Sequence, residues 1–251
     1  MTTIQTSLLV FAFAFGGALL GVYVRRLLPA DHLSPDSKDV LKLGMGLVAT
    51  TVALVLGLLV ASAKNFYDTQ SSEVTQLASN AVLVDRLLAQ YGPETVEIRA
   101  VLRGAVQRQA ELMWPHDGSR KTYAELEMPA GDLVIDQIAK LSPKDDKQRA
   151  LQAQVESLAI QTAQLRLLLL EQRRVPVPKA LLVTLIFWLI ALFMSFGLVA
   201  PSNLTAIGSL LIAAASVAVA IFLILEFYNP YAGLIQVPEG PVRAALAVLG
   251  K

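Results

Sequence analysis

The sequence contains no cysteine, only two histidines and few charged residues. Without cysteine the chain forms no disulfide, thiolate metal site, iron–sulfur cluster or cysteine nucleophile, and two histidines far apart argue against a histidine-rich metal site. Charged residues make up 16% of the 251 residues, against roughly 25% in an average soluble domain. A net charge of +1 argues against a surface that binds nucleic acid. The 55% of hydrophobic residues must therefore lie largely in long apolar segments.

Three runs of the chain carry no charge: 1–24, 43–63 and 180–225. About 20 apolar residues cross the roughly 30 Å of hydrocarbon in a bilayer. No positive charge precedes the first apolar run and no small-residue cleavage site follows it, so we expect a helix that is not removed. Pro201-Ser202-Asn203 supplies a turn inside the third run, which predicts two spans in a hairpin. The sequence predicts an integral membrane protein with four transmembrane helices.

Amphipathic patterns replace the apolar runs between the second and third spans. Apolar residues at three- and four-residue steps predict helices over 66–91, 98–112, 132–141 and 151–169. The last helix is followed by a Val-Pro-Val-Pro link at 175–178, which is poor in helix formers. No stretch alternates with period two long enough for a sheet, so the predicted fold class is all-α.

These patterns divide the chain into four parts. We expect a first transmembrane helix pair at 1–64, a helical extramembrane domain at 65–178, a second pair at 179–228 and a C-terminal tail at 229–251. The tail either returns along the membrane surface or docks on the helical domain. Several glutamines of that domain either bond across helix pairs or subunits, or lie on solvated faces: Gln70, Gln107, Gln109, Gln152, Gln154, Gln161 and Gln164.

Four spans place both termini and the helical domain on one side of the membrane. The short connection on the other side carries Arg25, Arg26, Lys38 and Lys42. The helical domain offers more cations near span ends, namely Lys64, Arg166, Arg173, Arg174 and Lys179. The positive-inside rule therefore favours a cytoplasmic location for the helical domain and both termini.

The sequence has no Walker loop and no G-x-G-x-x-G, G-x-S-x-G or H-E-x-x-H motif. We therefore predict that the protein is not an enzyme and holds no cofactor or metal. His32 lies in the short connection among acidic residues, where a metal site needs ligands from several subunits, and we interpret it as an ordinary loop histidine.

Small residues form stripes on three of the predicted spans. On the second span they are Gly46, Thr50, Ala53, Gly57 and Ala61, and on the fourth Ala206, Ser209, Ala213, Ser216 and Ala220. The first span carries Gly17 and Gly21. Such stripes are typical of close helix packing, because small residues let backbones approach. The alternative is a pore wall, which needs small or hydroxylated residues that neither block nor trap an ion.

Charged residues flank these spans. Lys42 and Lys64 bracket the second span. If several copies surround an axis, these lysines form rings of ammonium groups that attract anions. The alternative is that they are ordinary interfacial lysines that snorkel to the membrane surface. Glu226 ends the fourth span beside Phe227 and Tyr228, and is an interfacial candidate that either marks the membrane surface or pairs with a lysine, Lys64 or Lys179.

Several strings in the spans carry a family resemblance. They are LGMGLVAT at 43–50, LGLLVASAK at 56–64, YDTQ at 67–70, FGL at 196–198 and IFLILE at 221–226, with Pro201, Pro230 and the GLI at 233–235. The chain resembles the bacterial bestrophin-like membrane proteins, a family long classed as a domain of unknown function and loosely similar to bestrophin anion channels. The animal family's basic and aromatic N-terminal motif and acidic calcium clasp are missing, so calcium gating is not carried over.

The resemblance implies a pentameric ring in a bacterial inner membrane, with a helical cytosolic part and a pore for small anions such as chloride, lined by the second span. Leu54 and Leu58 are candidates for a hydrophobic neck by position, and no aromatic residue lies between Leu43 and Ala63. We predict a homo-oligomeric anion channel whose partners are lipid, copies of itself and small inorganic anions. The pore-lining candidates are Gly46, Thr50, Ala53, Leu54, Gly57, Leu58 and Ala61. The alternative is a membrane-anchored helical sensor or scaffold without transport activity.

Overall fold

The computed structural model describes residues 2–29, 34–114, 130–172, 179–201 and 203–251. Within these residues the chain forms eight α-helices and no strand, which confirms the predicted all-α class. They are α1 (Thr3–Leu27), α2 (Pro35–Tyr91), α3 (Val96–Met113), α4 (Ala130–Ala139), α5 (Asp146–Gln172), α6 (Lys179–Val199), α7 (Leu204–Phe227) and α8 (Gly240–Val248), with a 3₁₀ turn at Pro93–Thr95. The link at 175–178 and His32 lie outside the described residues.

Four of the described helices are long and apolar enough to cross a membrane: α1, α2, α6 and α7. This confirms the four apolar helices that the charge-free runs predict. The third run divides into two helices as expected, because Pro201 interrupts the backbone hydrogen bonding and Asn203 caps the next helix. The Asn203 side chain accepts a 2.8 Å hydrogen bond from the Ala206 N–H.

The chain folds into two compact units. The membrane unit comprises Met1–Phe66 and Pro176–Asn229, and the helical unit comprises Tyr67–Val175 and Pro230–Lys251. Helix α2 is continuous from Pro35 to Tyr91 and contributes to both units, so the helix predicted over 66–91 continues the second span without a break.

In the membrane unit, α1 packs closely on α6 through glycines. A Cβ atom added at Gly21 would overlap the backbone oxygen of Met194, and one added at Gly197 would overlap the backbone oxygen of Ala18. At Gly17 the added Cβ would lie 3.1 Å from the Ile190 oxygen. The stripe on the first span therefore serves helix packing, the structural alternative for such patterns.

We expect Gly21→Ala to weaken the membrane unit, since the added methyl group meets backbone that cannot rotate away. The cost should be about 1–3 kcal/mol, as for other overpacked sites, and should lower the melting temperature of the purified protein in detergent. Gly16→Ala is the matched control, because an added Cβ there meets nothing within 4 Å. Equal melting temperatures for the two variants would contradict this account of the contact.

The helical unit is built around the end of α2, which stops where Gly92 adopts a φ of +146° that side chains rarely tolerate. Leu88, Ile138 and Val155 lie at the centre of one apolar cluster, drawn from α2, α4 and α5. Gln152 donates from Nε2 to the backbone oxygens of Ile138 (2.9 Å) and Leu141 (3.1 Å), which satisfies carbonyl groups at the end of α4.

The tail packs on the helical unit, which resolves the two placements that the sequence leaves open. Leu249 is fully buried in the apolar cluster around Leu88, and Trp114 donates a 3.0 Å hydrogen bond from Nε1 to the Val237 oxygen. Asp85 is buried and accepts two 2.9 Å hydrogen bonds from Arg99. These hydrogen bonds raise the pKa of Arg99 above its ordinary value. The Gly250 N–H also donates to Asp85, so this pair fixes the tail as well as α3.

Candidate pore-lining face of the second helix

One face of α2 is exposed along the membrane unit. All seven pore-lining candidates lie on it: Gly46, Thr50, Ala53, Leu54, Gly57, Leu58 and Ala61. The opposite face carries Val52, Leu59 and Ala63, which are buried in the apolar cluster of the membrane unit together with Leu185 and Ile221. The separation follows from the helix period, since steps of three and four residues keep each set on one side.

The glycines of this face differ from those of α1 and α6. A Cβ added at Gly44, Gly46 or Gly57 would meet none of the described residues beyond its own helix within 4 Å, whereas Gly21 and Gly197 lie against backbone. Packing inside one chain therefore does not explain why α2 has glycine at these positions. The small-residue stripe of α2 is therefore not used for close packing within the described part of the chain.

The face is almost entirely apolar. Thr50 donates from Oγ1 to the Gly46 oxygen at 2.6 Å, and Thr51 donates to the Leu47 oxygen at 3.0 Å, so both hydroxyl protons bond to the helix itself. The two hydroxyl oxygens can still accept hydrogen bonds through their lone pairs, but they have no proton left to donate. Exposed leucines run beside the small stripe: Leu43, Leu47, Leu54 and Leu58, each with 66% or more of its surface accessible.

The two flanking lysines are both exposed. Lys42 forms a 2.9 Å ion pair with Asp39 one turn earlier on α2, with both side chains more than half exposed. This partner was not predicted from the sequence, although the three-residue spacing signals it. The charge of Lys42 is therefore partly offset, and an exposed pair of this kind contributes little to stability.

Glu226 lies in the interior of the membrane unit, where only 1% of the residue is accessible. Its Oε1 accepts a 2.6 Å hydrogen bond from the Thr3 hydroxyl, which joins the start of α1 to the end of α7. The residue is therefore buried within the chain, and its location at the membrane interface stays a prediction. Sequence reasoning missed Thr3 because the two residues are far apart along the chain and neither forms a recognisable motif.

The stripe on α7 also faces outward. Ser209, Ala213 and Ser216 are exposed, and Ala206 and Ala220 are half-buried. Both serine hydroxyls donate to their own helix, to the oxygens of Ala206 and Ile212. The three stripes thus have two roles within one chain: that of α1 is buried against α6, while those of α2 and α7 are presented to the surroundings.

Among the described residues, no three acidic or histidine side chains gather closely enough to hold a metal ion. The expected absence of a cofactor stays a prediction.

Comparison with known protein families agrees with the pattern of the spans. The family model of the Bestrophin-like domain matches residues 12–242 of this chain, which is nearly its whole length. The chain belongs to the bestrophin-like family, as the strings of α2 and α7 predict, and it is a membrane protein. No curated protein and no solved structure matches the chain.

Proposed function

We propose that the protein is a homo-oligomeric, pentameric channel that conducts small anions along the outward face of α2. The observation that carries the proposal is this face itself: it is long, apolar and free of ionisable groups between Lys42 and Lys64, and its glycines are open. Membership of the bestrophin-like family supports the same reading. The proposal involves no catalytic step.

Lipid, a neighbouring helix or a conduction path can cover such a face. A whole stripe of small residues turned only toward lipid gains nothing from their size, because larger apolar side chains bury more surface there. Small residues on a face against a neighbouring helix let the two backbones approach closely. Small residues along a conduction path make the path wider. The small stripe and the leucine stripe lie side by side on α2, so a ring of copies can turn one toward the axis and the other toward a neighbour.

The choice of anions rests on charge. Cation channels surround the path with carboxylates, whereas the described part of this face carries none between its two lysines. An apolar constriction admits an ion more readily when it is large and weakly hydrated, so nitrate should pass at least as well as chloride. Potassium should pass poorly because the lysines at the two ends of the face, Lys42 and Lys64, repel cations.

The first test is anion flux from liposomes that contain the purified protein, measured for chloride, nitrate and potassium. Gly57→Leu should reduce anion flux by about tenfold or more, since a leucine ring at this position narrows an apolar path. Gly16→Leu is the matched control, because Gly16 is an equally open glycine on α1 and its substitution should leave the flux near that of the parent.

Two outcomes would contradict the channel. A folded protein that is monomeric or dimeric in mild detergent removes the ring on which the path depends. No flux above empty liposomes, from an intact oligomer, favours the membrane-anchored sensor or scaffold instead.

The flanking charges give a second prediction. Lys64→Glu should lower anion flux and Lys64→Arg should preserve it, because only the first reverses the charge. Asp39→Asn should raise anion flux about twofold at low salt, since one unit charge about 10 Å from an ion changes its energy by about 0.4 kcal/mol in water. The gain should shrink at high salt, where screening shortens the reach of the charge. Equal flux in all three variants would show that these residues lie away from the path.

The orientation in the bacterial inner membrane is part of the proposal and is directly measurable. The natural chain has no cysteine, so single cysteines introduced at Asp36 and Gln154, both exposed, report their own accessibility. In right-side-out vesicles a membrane-impermeant maleimide should label Asp36→Cys and spare Gln154→Cys, and inverted vesicles should give the reverse. The opposite pattern would place the helical unit outside the cytoplasm.

A further inference from the structure

The helical unit contains a cavity of about 120 Å³ between α2, α3, α4, α5 and α8. Its described lining is mainly aliphatic. The space exists because three of the helices carry alanine at positions where a larger side chain would fill it. These alanines are Ala78, Ala81, Ala105, Ala110, Ala159 and Ala163. The cavity lies wholly inside this unit and shares no residue with the candidate pore face.

Three polar residues contribute to the lining: Gln109, Thr162 and Arg166, all half-buried. Thr162 donates its proton to the Leu158 oxygen at 2.7 Å and keeps its lone pairs. Gln109 also lines the cavity, and no hydrogen bond among the described residues uses its side-chain amide. This amide can therefore donate to or accept from a molecule in the cavity.

The volume sets the size of that molecule. An apolar cavity of about 150 Å³ is known to take up benzene or xenon, so this partly open space of about 120 Å³ has room for one aromatic ring. We propose that this cavity binds a neutral, benzene-sized molecule with one hydroxyl group, of the phenol class, whose ring lies among the alanines and valines and whose hydroxyl bonds to Gln109. The site goes beyond channel activity and does not depend on it.

A neutral ligand follows from the lining, where Arg166 is already engaged in an interaction of its own and leaves no free charge to pair with an anion. Moving an ionised group out of water is costly unless every charge is paired, whereas a hydroxyl needs one or two hydrogen bonds. Gln109 provides both a donor and an acceptor for those bonds.

The test uses 4-fluorophenol and fluorine NMR on the purified full-length protein in detergent. The parent should bind it saturably, and Ala163→Leu should weaken binding by more than about tenfold, since a leucine side chain and an aromatic ring do not both fit in this space. Ala153→Leu is the matched control on α5, because Ala153 is exposed and outside the lining, and it should bind like the parent. Ala105→Leu fills the same cavity from α3 and replaces Ala163→Leu if that variant fails to fold.

A second variant tests the polar contact. Gln109→Leu should weaken 4-fluorophenol by about two- to tenfold, the usual effect of one hydrogen bond, and leave fluorobenzene unchanged. Linear, unsaturable uptake that is the same in the parent and in the filled variants would mean partition into detergent and would overturn the site. Saturable binding of both probes with no effect of Gln109→Leu would overturn the assignment of the hydroxyl.

Discussion

The structure of the membrane unit depends on how closely α1 approaches α6. At Gly21 and Gly197 the backbones meet with no room for a Cβ atom, so each helix presents its peptide groups directly to the other. In hydrocarbon, apolar side chains gain little by leaving lipid for protein, and close van der Waals contact is the main force that holds helices together. Two glycines at one crossing therefore matter more than many leucines around it.

Helix α2 packs into the membrane unit through one face only. Its inner face, with Val52, Leu59 and Ala63, joins the apolar cluster of the membrane unit, and this satisfies one side of the helix. The other side is left with open glycines and exposed leucines, which no part of the same chain covers among the described residues. This face therefore contacts something outside the single chain: lipid, another copy of the protein or a conducted ion.

Sequence periodicity predicts the elements of this fold well and their mutual contacts poorly. The ends of α2 and α3 follow from Gly92-Pro93 and Trp114-Pro115, and the division between α6 and α7 follows from Pro201, because these residues act locally on the backbone. The stripes of α1, α2 and α7 are alike in composition, yet only that of α1 is buried against another helix in the same chain. The difference lies in which helix comes opposite, and a one-dimensional pattern does not contain that information.

Buried polar groups show the same limit, and they also specify how the helices of the helical unit pack. Tyr231 donates to Gln70 at 3.0 Å, Gln70 to Gln172, and Gln172 to one oxygen of Glu73 at 3.0 Å. The sequence leaves Gln70 open between a solvated face and a bond across helices, and the structure selects the bond, with Gln70 fully buried. An apolar cluster tolerates small shifts of one helix past another, whereas a chain of directional hydrogen bonds loses its partners after a shift of one residue. The network therefore fixes the register of α2 against α5 and the tail, and leucines alone specify that register less sharply.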